Sequence, residues 1–548
     1  MKKNDDSSLS DIEKGLEKEL YRALVIEDEP YDEERHENES YEDESYEPYE
    51  AGAYEDELYD DGAYDESYDE PEPVEDTGKK PKKRRSINRE YMIVSYTFVA
   101  LFLFLSAYII KYIAIDAESF IGNSYNRRIT EFSPSVQRGD ILTSDGLVVA
   151  YSSLDDEQNE TRVYPEGELY AHSIGYSTKG MSGVELDANY TLLRSHMDVA
   201  AQAKATIEGK KVHGDNVYTT LDSKLQECAY RNLGNYNGAV LAMDPKSGEI
   251  LAMVSRPSFD PNEIADIWDE IVNDPDSSVL LNRATQGLYP PGSTFKIVTG
   301  LEYLAEGGSV SDDFYCEGML TKDDYTIHCF NSTAHGSEDF MSAFATSCNV
   351  AFSEMGLSLD RDKYTKKAEE LLFNTTLPTD LSNVQKSSFD IEDASDALIM
   401  QTAIGQGNTL MTPIHLAMIA SAATNDGLAV RPYIIDRVEN ADGVLVKKNH
   451  PGSATRIMSE DEAATLKQML RAVITDNYTD RFENENYTAY GKTGTAEYTV
   501  NKDITHSWFV GLAENDDKQL AVVVIMEEAG TGGQFSLPLA KRVFDEYF

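Results

Sequence analysis

Basic side chains are in short supply: 48 Lys and Arg stand against 98 Asp and Glu in 548 residues, a formal charge of −50. Nucleic-acid binding needs clustered Lys and Arg to displace counterions from phosphate, so DNA and RNA are excluded as substrates. Cysteine is equally sparse, four in all, too few for a disulfide scaffold in a chain this long. Cys316 and Cys329 are spaced either to pair across a loop or to remain two buried thiols; Cys228 and Cys348 have no sequence-local partner. No His-rich or carboxylate cluster points to a metal or an organic cofactor. A regular strand–helix alternation is missing too, which argues against a parallel α/β sheet.

Membrane-length apolar runs are absent with one exception. Met92 to Ile110 is a stretch of 19 uncharged, mostly apolar residues, long enough to cross a hydrocarbon core of about 30 Å as a helix. Lys79, Lys80, Lys82, Lys83, Arg84, Arg85 and Arg89 lie directly before it. By the positive-inside tendency this basic segment, residues 78–91, places the N-terminus in the cytoplasm and residues 111–548 outside the cell membrane. A signal peptide fits poorly, because 91 residues precede the run and no small-residue cleavage site follows.

Residues 1–77 hold 31 Asp and Glu against 6 Lys and Arg. Ser10 to Glu13 reads as a capping box ahead of Ile12, Leu16, Leu20 and Leu24, the pattern of a short amphipathic helix. From Tyr31 to Asp76, tyrosines recur among carboxylates and aliphatic residues are few, so a solvated, disordered tail is expected.

Residues 111–214 read as a stalk. Arg138–Leu142 and Asp145–Ala150 predict two short strands around an Asp-Gly turn, and no nucleophile–base pair or metal-ligand spacing occurs there. Residues 215–548 read as a larger domain. Ala239–Met243 and Glu249–Ser255 are apolar runs joined by the turn Asp244–Gly248. Helical patterns fill the middle, strands return at Ser507–Ala513 and Gln519–Met526, and a last helix covers Leu537–Phe548. The expectation is α+β: one antiparallel sheet whose first and last strands are neighbours, with helices on both faces.

The chemistry concentrates at Ser293-Thr294-Phe295-Lys296, after Pro290-Pro291-Gly292. At a helix start, residues three apart share a face, so the Ser293 hydroxyl and the Lys296 amine can meet. Serine needs an adjacent base, and lysine serves only if its pKa falls. A lone S-x-x-K is weak evidence in a long chain. Its companions strengthen it: Ser347-Cys348-Asn349 lies 54 residues on, and Lys492-Thr493-Gly494-Thr495 a further 145 on. They supply a hydroxyl to relay a proton, an amide to orient substrate, and a second cation with strand hydroxyls for a carboxylate. Cys348 is disfavoured as nucleophile, because Ser293 has the base and the helix start.

These three motifs, in this order, resemble those of penicillin-binding proteins and related serine β-lactamases. Residues 215–548 look like the transpeptidase domain of a class B penicillin-binding protein. The likeness extends to Asp244–Glu249, Arg256–Asn262, Asn282-Arg283-Ala284, Gly405-Gln406-Gly407, Thr412-Pro413 and Trp508–Gly511. In the stalk it extends to Arg138–Ile141, Gly183 and Glu185.

The resemblance implies a D,D-peptidase-like fold and a peptidoglycan D,D-transpeptidase that needs no metal or other cofactor. Ser293 would attack the penultimate D-Ala carbonyl of a stem peptide, Lys296 would take its proton, and Ser347 would relay a proton to the leaving D-Ala. Asn349 would orient the substrate amide; Lys492, Thr493, Gly494 and Thr495 would bind the terminal carboxylate and oxyanion. It also implies acylation by β-lactams and a polytopic membrane glycan polymerase as partner. A carboxypeptidase or β-lactamase would share the site, and a scaffold that activates the polymerase is the non-enzymatic alternative.

Overall fold

A computed structural model describes residues 88–112 and 135–548, apart from 323, 451, 484 and 498–503. The expected amphipathic helix, the acidic tail and most of the basic cluster lie outside the described residues. Asn88–Lys111 forms a single helix, α1. Its stretch Tyr91–Lys111 is, among the described residues, the helix long and apolar enough to cross a membrane.

The strands that follow include β1 (Ile141–Leu142), β2 (Val148–Leu154), β3 (Glu160–Val163) and β4 (Asn216–Thr219). Helix α2 (Ser223–Leu233) leads into β5 (Gly238–Met243) and β6 (Ile250–Arg256). The helices α3 (Lys296–Ala305), α4 (Phe340–Ala345), α5 (Asn349–Ser358) and α6 (Pro413–Ala422) come next. Then come β7 (Ile435–Glu439), β8 (Leu445–Lys448) and α7 (Glu460–Asn477), and finally β9 (Thr488–Glu497), β10 (Thr505–Glu514), β11 (Gln519–Met526) and α8 (Ser536–Tyr547).

Strands β9-β10-β11-β5-β6 form one antiparallel sheet in that order, so β5 lies beside β11 as the apolar runs at both ends imply. Alternate side chains point to opposite faces of a strand. Ala239, Leu241, Met243, Ala521, Val523 and Ile525 accordingly join one core with α6 and α7. Val240, Ala242, Leu520, Val522 and Val524 join the other with α2 and α8. With both faces covered, β5 is buried along its whole length, in keeping with the continuous apolar run of its sequence. Helix α6, also buried throughout, starts on Pro413 with Thr412 as its cap. In the β5–β6 turn, Asp244 Oδ1 accepts from the amides of Lys246 and Ser247 at 2.7 and 2.8 Å.

The second sheet, ordered β8-β7-β4-β1-β2-β3, runs from the stalk segment into the larger domain. β4 pairs with β1 on one side and with β7 on the other, so hydrogen bonding is continuous across the expected boundary at residue 215. Beside this sheet, Glu185 is fully buried between two guanidinium groups. Arg138 and Arg162 each donate through Nε at 2.7 Å, one to each carboxylate oxygen. Burial pushes the Glu185 pKa up, but the two arginines outweigh it and hold the group below its ordinary 4.5. Gly183 makes room for this corner: its φ is +57°, and a Cβ there would lie 2.7 Å from the Ser173 carbonyl oxygen.

Replacing Glu185 with Gln leaves two buried arginines uncompensated and is expected to destabilise the chain by about 3–5 kcal/mol in denaturant titrations of detergent-solubilised protein. Because the folded pKa is depressed, this contribution is present above about pH 4.5 and lost as pH falls below it. A variant as stable as the parent at pH 7 would refute the assignment.

Candidate active site

Gly292–Phe295 forms a 3-10 turn, and α3 begins only at Lys296. Three residues per turn stack positions i and i+3, which sets the Lys296 side chain over Ser293 more directly than the α-helical start expected from sequence. The turn is held by close backbone packing. Gly292 N donates to Gly405 O at 2.8 Å, and a Cβ on Gly405 would fall 2.0 Å from Gly292 O. A Cβ on Gly292 would come 2.7 Å from Thr495 O, so the turn lies against β9 at the edge of the sheet. Trp508 Nε1 donates to Pro290 O at 3.1 Å from the neighbouring strand β10. The outlying motifs Gly405-Gln406-Gly407 and Trp508–Gly511 thus position the serine.

The second motif lies between α4 and α5. Ser347 has a left-handed backbone (φ +62°), and Cys348 caps α5 by accepting from Ala351 N. Lys296 is fully buried, and its Nζ lies 3.1 Å from Ser293 Oγ, 2.7 Å from Ser347 O, 3.2 Å from Ser347 Oγ and 2.7 Å from Asn349 Oδ1. Lys492, also fully buried, approaches Ser347 Oγ from the other side at 2.8 Å. One hydroxyl therefore bridges two amines in an unbroken line from Ser293 Oγ through Lys296 Nζ and Ser347 Oγ to Lys492 Nζ.

Electrostatics decides which form of Lys296 occupies this line. Burial lowers its pKa to about 8. Burial, and then the charge of Lys296, push Lys492 well below its ordinary value. The rings of Phe352, 5.6 Å from Lys296 Nζ, and Phe344, 5.4 Å from Lys492 Nζ, offer partial compensation. Two ammonium groups sharing one hydroxyl repel, so one of them gives up its proton readily. A neutral Lys296 amine can donate its two N–H groups to Ser347 O and Asn349 Oδ1. Its lone pair then faces Ser293 Oγ, the geometry of a general base.

All the residues singled out in the sequence converge here. Thr493 and Thr495 lie two apart on one face of β9, half-buried, while Lys492 and Gly494 point to the other face. Lys492 lies beneath the surface, where its amine donates to Ser347 Oγ. Asn349 is engaged at both ends, its Nδ2 donating to His328 O at 2.7 Å. The sequence reading also saw no partner for Cys348 and no metal-capable cluster. The fold brings Cys348 Sγ to 3.9 Å from Cys329 Sγ, and Cys316 and His335 complete a compact group of donors. The signal was present in the sequence as twelve intervening residues from Cys316 to Cys329 and again from His335 to Cys348.

Known proteins share the sequence pattern and the fold of this chain. A family model described as the penicillin binding protein transpeptidase domain matches residues 238–547. A second, described as the penicillin binding protein A dimerisation domain, matches residues 138–217. The peptidoglycan D,D-transpeptidase PbpA of Mycolicibacterium smegmatis is 31% identical over 460 residues, 78% of this chain and 92% of that protein. Penicillin-binding protein A from M. tuberculosis, solved as a ceftriaxone acyl-enzyme complex, superposes with a TM-score of 0.69 at 26% identity, over 76% of this chain and 99% of that one. The D,D-transpeptidase domain of a peptidoglycan glycosyltransferase from Eggerthella lenta gives 0.67 at 30% identity, over 75% and 98%.

A neutral Lys296 as base fixes the pH dependence of acylation. The second-order rate at which a slow β-lactam or activated ester acylates Ser293 is expected to rise through a midpoint near 8 and then level off, as Lys296 loses its proton. Stopped-flow acylation across this range is the check. A rate flat from pH 6 to 9, or an active Lys296→Arg variant, would contradict the base assignment.

Proposed function

The chain belongs to the penicillin-binding protein transpeptidase family, and from that premise we propose how its own residues carry the reaction. The protein is a peptidoglycan D,D-transpeptidase, an acyl-transfer enzyme of cell-wall synthesis that β-lactams acylate. The observation that carries the assignment of residues is the line of Ser293, Lys296, Ser347 and Lys492 side chains.

In this reading Ser293 Oγ attacks the carbonyl of the penultimate D-Ala of a stem peptide, and its proton passes to the neutral Lys296 amine. The oxyanion is met by the backbone N–H groups of Ser293 and Thr495, a contribution of about 3–4 kcal/mol per donor. Collapse breaks the D-Ala–D-Ala amide. The leaving nitrogen takes a proton from Ser347, which is resupplied by Lys296 or Lys492. An amine of a neighbouring stem peptide then attacks the ester, loses a proton along the same line and frees Ser293 as the cross-link forms. Thr493 and Thr495 hold the terminal carboxylate, with the N–H groups of Lys492 beneath them, and Gly494 lets the strand lie close to the nucleophile turn. Asn349 orients the substrate amide by exchanging its bond to His328 O.

The remaining organisation belongs to the same proposal. Residues 1–77 form a cytoplasmic tail, 78–91 a basic juxtamembrane segment, and 92–110 the single span. Residues 111–214 form the stalk and 215–548 the transpeptidase domain outside the membrane. A polytopic glycan polymerase in the same membrane supplies the glycan strands.

Full-length protein in detergent, given uncross-linked glycan strands with pentapeptide stems, is expected to form cross-linked dimers with release of one D-Ala per link. Ser293→Ala forms none. Release of D-Ala without cross-links would support a carboxypeptidase instead. Growth of a depleted strain on Ser293→Ala would support the scaffold role.

A further inference from the structure

Behind the catalytic loop, four side chains from four separate segments converge without taking part in the acyl transfer. Cys316 ends the strand Asp313–Cys316, Cys329 follows the strand Tyr325–His328, His335 precedes the strand Gly336–Asp339, and Cys348 caps α5. Their nearest donor atoms all lie within 4.8 Å of one another. The separations are 3.6 Å for Cys316 Sγ to Cys329 Sγ, 3.4 Å for Cys316 Sγ to His335 Nδ1, and 3.9 Å for Cys329 Sγ to Cys348 Sγ. A tetrahedral zinc ion with bonds of about 2.3 Å to sulfur and 2.0–2.1 Å to nitrogen has edges of about 3.8 Å between sulfurs and 3.6 Å between sulfur and nitrogen. The two sulfur–sulfur distances straddle the first value, and the sulfur–nitrogen distance lies slightly under the second.

We propose that Cys316, Cys329, His335 and Cys348 form a tetrahedral zinc site that ties residues 313–339 to the catalytic loop at Ser347 and Asn349. The inference goes beyond the transpeptidase reading and does not depend on it.

Three further observations support the site. The first is that the segment has little core of its own. Its strands form small two-stranded sheets, and its buried side chains among the described residues are Cys316, Ile327, Cys329 and Glu338. Segments of under about 40 residues seldom build a sufficient core without a metal, a disulfide or a partner surface. Phe314, Leu320 and Tyr325 are half-buried against the main core and supply only part of what is missing.

The second is that backbone N–H groups are aimed at two of the sulfurs. Gly318 N donates to Cys316 Sγ at 3.3 Å, and Ala351 N donates to Cys348 Sγ at 3.4 Å from the first turn of α5. Backbone N–H groups at a helix start stabilise a negative sulfur. The third is Glu338. Its Oε1 accepts from Thr346 Oγ1 at 2.7 Å, while its Oε2 is buried without a hydrogen-bond partner, 3.7 Å from His335 Nδ1. A buried carboxylate oxygen in that position calls for a cation nearby.

Binding releases the three thiol protons to solvent and forms three Zn–S bonds and one Zn–N bond, with no change of oxidation state. The consequence for the active site follows from adjacency. Cys348 lies between Ser347 and Asn349, whose side chains contact the Lys296 amine, and Cys329 follows His328, whose carbonyl oxygen accepts from Asn349 Nδ2. Zinc would fix both ends of that loop, a positioning role.

Full-length protein purified in detergent without chelator is expected to carry about one zinc per chain by elemental mass spectrometry. Exchange for cobalt should give the thiolate charge-transfer and visible bands of a tetrahedral ion. Cys329→Ser and His335→Ala should lose the metal. His335→Cys should keep it with stronger charge transfer, which guards against variants that merely misfold. Stripped protein should label with a fluorescent penicillin about tenfold or more slowly and recover on adding zinc. A metal-free chain with all four thiols titratable, or one lighter by two hydrogens through a Cys316–Cys329 disulfide, would overturn the proposal. Zinc stoichiometry is read without reference to activity, so its failure is separable from failure of the transpeptidase reading.

Discussion

Two lysine amines are buried around the hydroxyl of Ser347, and much of the catalytic half of the chain serves to hold them there. Among the described residues, neither Lys296 nor Lys492 has a carboxylate beside it. Desolvation and mutual repulsion therefore do what no single neighbour does: they make one amine basic and neutral at a pH where a free lysine is almost wholly protonated. The arrangement opposes stability, since buried cations without counter-charges are expensive. It persists because a large apolar core surrounds it and the surrounding backbone over-determines it.

That backbone converges on the serine from three directions. The 3-10 turn at Gly292–Phe295 is clamped between the edge of β9 and the Gly405 loop, with contacts too close for any side chain on Gly292 or Gly405. The left-handed Ser347 turns its carbonyl and hydroxyl together toward Lys296. The five-stranded sheet beneath is covered on both faces, which gives β9 a rigid neighbour in β10 while its other edge faces the nucleophile turn. The Arg138–Glu185–Arg162 cluster does for the stalk segment what the sheet does for the site: it fixes a corner through charge in a buried place.

Much of this was legible in the sequence because local signals and tertiary placement agree. The Asp244–Gly248 turn, the strand β11 and the closing helix lie where composition and periodicity put them. The three catalytic motifs were recognisable by residue type and order. What spacing cannot convey is direction. Lys492 reads as a second cation for a substrate carboxylate, and nothing in its spacing says that its buried side chain also reaches Ser347. The 3-10 form of the nucleophile turn depends on packing against Thr495 and Gly405, both more than a hundred residues away. The cysteines were hidden for the same reason: four donors on four segments meet only once the strands at 313–316 and 336–339 pair.

The central claim is that Ser293, and no other nucleophile of this crowded site, carries the acyl group. Incubation of the full-length protein with a penicillin, followed by intact-mass and peptide-level mass spectrometry, tests it most directly. One adduct per chain, on the peptide containing Ser293, is the predicted result. An adduct on Ser347 or Cys348, or no covalent adduct at all, would contradict the account.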